Sequence, residues 1–309
     1  MALSTNYWTN RRILITGAGG FVGSHLARKL KELGAEVVSL IRREDGVDVA
    51  DREALETFFD NKPSVVFHLA GEAVVERGQE MPFDTFRTNV LGTLNVLELS
   101  RIYAIPKIII ASTAQVYGEG KPPFREDDPP RPSRPYETSK TATDLLAQSY
   151  ADSFNLGVLI PRFANIYGPG DTNFTRLIPK VLKYILKDKP IPVWGGTAKR
   201  EYLYVDDAVE AYLMLGAISD VKLERNRIFN FGSGKPIAVQ DIITTIGKLA
   251  GVTIRIIREK DVREGEITDQ YISWEKASRA LGWKPRVSLD EGLRRTIAWY
   301  KEYLYTTTL

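Results

Sequence analysis

Residues Ile13–Leu30 read ILITGAGGFVGSHLARKL, and the order of residue types within them decides the fold. A branched apolar run, Arg12–Thr16, leads into Gly17, Gly20 and Gly23. A helical pattern follows, with Val22, Leu26, Leu30 and Leu33 on one face and Gly34 as its stop. Glycines in that context permit a tight turn, backbone approach to a diphosphate, and close packing of helix on strand. The diphosphate then meets the positive end of the helix.

Working outward, the same alternation repeats. Strands are expected at Glu36–Ile41, Ser64–Ala70, Lys107–Ser112 and Gly157–Phe163, with helical patterns between them. Near-continuous apolar strands indicate a parallel sheet covered on both faces. The expected class is α/β, a Rossmann-type doubly wound parallel sheet with a smaller α/β C-terminal substrate domain. The dinucleotide-binding domain is expected over residues 1–170, rejoined by parts of 201–235 such as EYLYV and IFNFG. Residues 171–309 form mainly the second domain. There NFTRLIPKVLKYILKD and LDEGLRRTIAWYKEYL read as helices.

Composition narrows the function. With 43% hydrophobic residues the chain can bury a large core, and a net charge of +3 is too small to imply nucleic-acid binding. The absence of cysteine excludes disulfides, thiolate nucleophiles and Cys-ligated zinc. His25 and His68 stand alone, so both read as structural and no metal is expected. No apolar run approaches the ~20 residues that span a bilayer, and the first residues lack a signal-peptide layout. A cytoplasmic protein without membrane contacts is the expectation.

At the end of the second strand, an NAD site usually carries an acid for the ribose hydroxyls. Here Ile41 is followed by Arg42 and Arg43. Guanidinium forks suit a 2′-phosphate, which favours NADP slightly over NAD. Asp48 in GVDVAD is placed to meet the adenine edge.

The chemistry is carried by two further stretches. RPYETSK sets Tyr136 and Lys140 four apart, on one helix face, so the ammonium is expected to favour the phenolate. IIIASTAQVYGEG (Ile108–Gly120) is a buried strand running into a polar loop that begins with the hydroxyls of Ser112 and Thr113.

Together these motifs resemble the extended short-chain dehydrogenase/reductase family, in particular its sugar-nucleotide epimerases and 4,6-dehydratases. The likeness covers nearly the whole chain, through TGAGGFVGSHL, VVFHLAG, TNVLGTLNVLE, STAQVYG, PYETSK, RFANIYGPGD, KREYLYVDDAVEAYL and LGWKPRVSLDEGL. LLAQSYADSFNLGV and GPGDTNFTRLIP look most like CDP-glucose 4,6-dehydratases, and SLIRR is similar to the NADP segment of GDP-mannose 4,6-dehydratases. The resemblance implies Thr113, Tyr136 and Lys140 as the catalytic set. It implies a cofactor held by Gly17, Gly20, Phe21, Val22 and Gly23, then by Arg42, Arg43, Asp48 and Val49. Leu69, Ala70, Asn89, Tyr136 and Lys140 complete that side. Glu72, Thr113, Asn165, Asn173, Arg200 and Arg263 would contact a nucleotide-sugar substrate, with the two arginines on its diphosphate. A homodimer is implied through the helix bearing Tyr136 and its neighbour, with Leu97 and Leu145 on candidate apolar faces.

Within that family the two residues after Thr113 divide the reactions. Dehydratases carry an acid followed by Glu or Lys there, to remove water across C5 and C6. This chain has Ala114 and Gln115, neither of which exchanges a proton near neutrality. The expected activity is therefore a 4-epimerase acting through a 4-keto intermediate. A 4,6-dehydratase drawing acids from elsewhere, Glu72 first, is the nearest alternative, and a 4-keto reductase the next. A purely binding protein on this scaffold is the reading from another class, and it has no need of a phenol–lysine pair.

Overall fold

The computed structural model describes residues 6–194, 196–219, 227–260 and 267–306. Strands β1 (Arg12–Thr16), β2 (Glu36–Leu40), β3 (Val65–His68), β4 (Ile108–Ile110), β5 (Ser112–Thr113) and β6 (Val158–Phe163) pair in parallel. The main path runs β2, β1, β3, β4, β6, and then the strand Ile228–Phe231. The chain thus leaves β1 to one side for β2 and returns to the other side for β3. That reversal opens a crevice at the carboxyl ends of β1 and β3, where ligands of such sheets bind.

The strands sort their side chains by parity. Ile13, Ile15, Val65, Phe67, Ile109 and Leu159 enter one buried cluster, while Leu14, Val66, Ile108, Ile110, Val158 and Ile160 enter another. Successive residues point to opposite faces, so each strand feeds both layers. Each fully buried aliphatic side chain contributes roughly 1.5–3 kcal/mol of transfer free energy. Helices Phe21–Glu32 and Val205–Ala217 cover the first face, and Gly92–Ile102 and Pro135–Phe154 the second.

Two expectations meet a different arrangement. Ile228–Phe231 joins the sheet beside β6, but Tyr202–Tyr204 pairs instead with Asn165–Tyr167 in a separate two-stranded ladder. Its partner Asn165–Tyr167 follows directly on β6, so its backbone pairing is spent there. The helix read from Asn173 begins only at Leu177, because Asn173 accepts hydrogen bonds from the Thr175 amide and hydroxyl and so holds a turn there.

Candidate active site

The glycine turn sits at the sheet's switch point. Gly17 has φ +74°, and a β-carbon there would lie 2.7 Å from the Ala70 nitrogen at the tip of β3. A β-carbon on Gly23 would lie 2.2 Å from the Gly17 carbonyl oxygen, so helix and turn touch through backbone. The helix starts at Phe21 with Gly20 before it and no side chain capping its first turn. Its first amides and the positive end of its dipole are therefore available to an anion.

After β2, Arg42 and Arg43 open a short helix (Arg42–Asp45). Arg42 pairs with Asp48 at 3.3 Å, and Arg87 reaches the same carboxylate oxygen at 3.4 Å. Val49 packs into the core and gives its carbonyl to Asn95. Asp48, expected at the adenine edge, and Val49, expected at the cofactor, make these contacts within the protein.

Below the turn lies a cavity of about 460 Å³, lined by Phe21, Val22 and Leu69 on one side and by Thr113, Tyr136 and Lys140 on another. The helix bearing the last two is started by Pro135 and by Glu137, whose carboxylate accepts the amides of Ser133 and Arg134 at 3.0 and 3.3 Å. This capping arrangement fixes the backbone immediately around Tyr136. The phenol is buried, beside the Thr113 hydroxyl. The Thr113 oxygen already accepts the Gln115 amide at 3.2 Å, so its own O–H is the part free to donate to a phenolate.

Electrostatics here differ from the sequence expectation. Burial pushes the Tyr136 phenol up, and the Arg176 guanidinium and the Thr113 hydrogen bond pull it back. Lys140, expected in that role, donates its ammonium to the Ala111 carbonyl at 2.5 Å. A half-buried ammonium needs an acceptor, and the end of β4 supplies the nearest one. Burial brings Lys140 down to about 8. His68, buried between the hydroxyls of Thr16 (2.7 Å) and Thr93 (3.1 Å), is pushed down to about 3 by burial and then by Lys140. It is a neutral structural residue. His25 hydrogen-bonds the Pro169 carbonyl at 2.9 Å, and no cluster of metal-binding side chains occurs among the described residues.

Asn89 sits on a π-helical turn (Arg87–Leu91), an irregularity frequent at functional sites. It is buried, accepts the Glu72 amide at 2.7 Å, and donates to Ser139 at 2.9 Å on the Tyr136 helix. It therefore ties the loop after β3 to the helix bearing Tyr136 and Lys140. Glu72 lines the cavity, but one carboxylate oxygen accepts the Ala73 and Val74 amides and the other pairs with Arg77 at 3.0 Å. Ala114 is buried among Val116, Tyr117, Phe124, Ala164 and Ile272, whereas Gln115 faces the cavity.

At the far end of the cavity stand Asn165 and Arg200. Arg200 donates to the carbonyls of Lys199 (3.0 Å) and Thr268 (3.2 Å), and Asn165 to that of Glu201 (3.2 Å). Asn173, expected with them, is outside the lining and turns the chain toward the next helix. Arg263 lies outside the described residues. Arg176 and Lys180 line the cavity and were not singled out by the sequence reading. Arg176 is anchored to the buried carboxylate of Asp171 at 3.2 Å. In the sequence both belong to an amphipathic helix pattern, and nothing in that pattern tells an inward-facing cation from a solvated one.

The backbone-lined glycine turn, the uncapped helix start and the single cavity joining them to Tyr136 fit a nicotinamide dinucleotide. A buried phenol one turn from an ammonium, facing such a turn, places the protein among enzymes that move a hydride and a proton together. Residues 13–232 match the model of the NAD dependent epimerase/dehydratase family. The UDP-glucuronate 4-epimerase of Thermodesulfobacterium geofontis is 31% identical, covering 94% of this chain and 96% of its own. A probable dTDP-glucose 4,6-dehydratase of Sinorhizobium fredii is 32% identical over 94% and 93%. The structure is similar to that of the Thermus thermophilus UDP-glucose 4-epimerase complexed with NAD. That chain has a TM-score of 0.86 and 30% identity, and the match covers 94% of this chain and 99% of that one. The chain belongs to the NAD dependent epimerase/dehydratase family and is an enzyme of it.

Proposed function

We propose that the protein is a sugar-nucleotide 4-epimerase using NADP or NAD, with NADP somewhat preferred. The observation that carries this reading is the content of positions 113–115: a hydroxyl beside the phenol, then a buried alanine and a glutamine. The nucleotide-sugar substrate lies along the cavity, with its diphosphate toward Asn165 and Arg200, and Arg263 added from the sequence resemblance. Its C4 hydroxyl meets Tyr136. When bound, the nicotinamide supplies a reversible acceptor for the C4 hydride. Tyr136 takes the hydroxyl proton and later returns it, Thr113 donates to the same oxygen, and Lys140 provides positive charge beside them. The sugar must turn over between the two halves of the reaction, so groups gripping the diphosphate outlast those near the ring.

Elimination of water would need an acid and a base near C5 and C6. Loss of one such group typically costs ~10²–10⁴-fold in rate. Position 114 faces a packed apolar cluster, and Glu72 is occupied by two amides and Arg77, which supports epimerisation over dehydration. The test is to incubate the protein with UDP-, GDP-, CDP- and dTDP-hexoses and follow products by NMR. The expected product is inverted at C4, keeps oxygen on C6, and forms without net cofactor turnover. A 4-keto-6-deoxy sugar with solvent deuterium at C5 would instead make the enzyme a dehydratase.

We also propose a cytoplasmic homodimer. No described helix is long and apolar enough to cross a membrane. The helices Gly92–Ile102 and Pro135–Phe154 present Ile102, Leu145 and Phe154 to solvent, Leu145 at 57% exposure, a face suited to a second copy. Leu97, expected on that face, is fully buried instead, because the same turn of helix packs it onto the sheet.

A further inference from the structure

Tyr136, Lys140 and Asp144 follow one another at four-residue steps on the helix Pro135–Phe154. Asp144 is completely buried, and its Oδ2 accepts from Nε of the equally buried Arg162 on β6 at 2.7 Å. Behind that pair, the Arg162 guanidinium lies 4.8 Å from the centre of the Tyr117 ring, and the Tyr117 hydroxyl donates to Asn230 at 2.8 Å. The pair is not saturated. Asp144 Oδ1 and one terminal nitrogen of Arg162 have no hydrogen-bond partner among the described residues. A buried carboxylate with an idle oxygen is costly as a purely structural element. We propose that Asp144 is a positioning residue for the reaction, supplying the fixed counter-charge for Lys140 from one turn deeper in the same helix.

This inference rests on the reading of Tyr136 and Lys140 as the proton-handling pair. The ionisable groups around Lys140 are Tyr136 on its own helix and His68 on β3, with Arg162 on β6 and Tyr117 behind Asp144. Glu72, Glu137 and Arg176 act on the phenol. Burial leaves His68 uncharged and pushes Tyr117 up to about 12, so neither offers Lys140 a negative charge near neutral pH. Asp144 alone among the described carboxylates holds Lys140 up against its burial. Without it the ammonium would lose its proton at lower pH, and the alkaline side of activity would retreat with it.

Two variants break the same ion pair and separate charge from structure. In Asp144→Asn the counter-charge is lost, while in Arg162→Gln it stays. Lys140 is followed in the full-length protein by NMR of 13Cε-labelled lysine, assigned with Lys140→Arg. Its titration midpoint should fall by about one unit or more in Asp144→Asn. In Arg162→Gln it should hold or rise, and the alkaline limb of the pH–rate profile should move likewise. Equal midpoints in all three proteins, or a shift of the same sign in both variants, would overturn the proposal. If Asp144→Asn does not fold, the double variant Asp144→Asn/Arg162→Gln carries the test, with a lowered midpoint expected and an unchanged one overturning it. The NMR arm needs no turnover, so a wild-type protein inactive on every sugar nucleotide would count against the proposed function and leave this measurement standing.

Discussion

The two ends of the cavity are built on opposite principles. At the reacting end, Thr113, Tyr136 and Lys140 are tied to backbone or to one another, and burial shifts the phenol and the ammonium toward their neutral forms. At the far end, Arg200 keeps its guanidinium partly in solvent and leans on two carbonyls. The first arrangement holds atoms still and tunes proton affinity. The second keeps permanent charge in the cavity wall. Damage should therefore reach turnover at one end and binding at the other.

The strongest way to break this contrast is Tyr136→Phe. Ring packing is retained and the proton carrier is lost, so kcat should fall ~10²-fold or more, with cofactor affinity retained in calorimetry. Near-normal turnover would remove the phenol from the mechanism. Arg200→Leu should do the reverse, raising KM by ~10-fold or more, about 1.4 kcal/mol of charge-assisted binding, while kcat changes far less. A fall in kcat with unchanged KM would erase the distinction between the two ends.

Arg176 spans both ends, so its loss should give a smaller, mixed effect. Its charge lowers the Tyr136 phenol against burial. Removing it in Arg176→Leu raises the pH at which the phenolate forms. The acidic limb of the pH–rate profile should move to higher pH, and activity should drop most below that limb and recover above it. A pH-independent loss would assign Arg176 to binding alone.

Legibility in the sequence followed the same divide. The sheet was readable because its central strands β3, β4 and β6 are buried along their length and the first turn is punctuated by glycine. The adjacency of Tyr136 and Lys140 was readable because a helix converts a spacing of four into one face. The far end was readable only in part, through Asn165 and Arg200. Tyr202–Tyr204 looks like any buried strand, and only the path of β6 into Asn165–Tyr167 decides what it pairs with. Arg176, at the start of the helix Leu177–Leu186 and held by Asp171, and Lys180 within it become cavity residues through tertiary packing that no local pattern encodes. Asn173, whose side-chain oxygen accepts from Thr175, holds a local turn that the sequence pattern did not show.

The smallest expected effect concerns cofactor choice, where the structure moderates the sequence argument. Arg42 is 68% exposed and beside the phosphate-binding turn, as a 2′-phosphate would require, but its guanidinium already pairs with Asp48. Asp48 is itself shared with Arg87, so the carboxylate is not left bare when Arg42 turns outward. An incoming phosphate would exchange one exposed ion pair for another, and exposed pairs are worth only ~0–1 kcal/mol each. The preference for NADP should accordingly be a few-fold, within about 1 kcal/mol. Arg42→Ala should narrow it further, and raising salt should do the same to the unmodified protein by screening the contact. Calorimetry with both dinucleotides checks this. Tighter binding of NAD by the unmodified protein would mean that Arg42 serves Asp48 and not the cofactor.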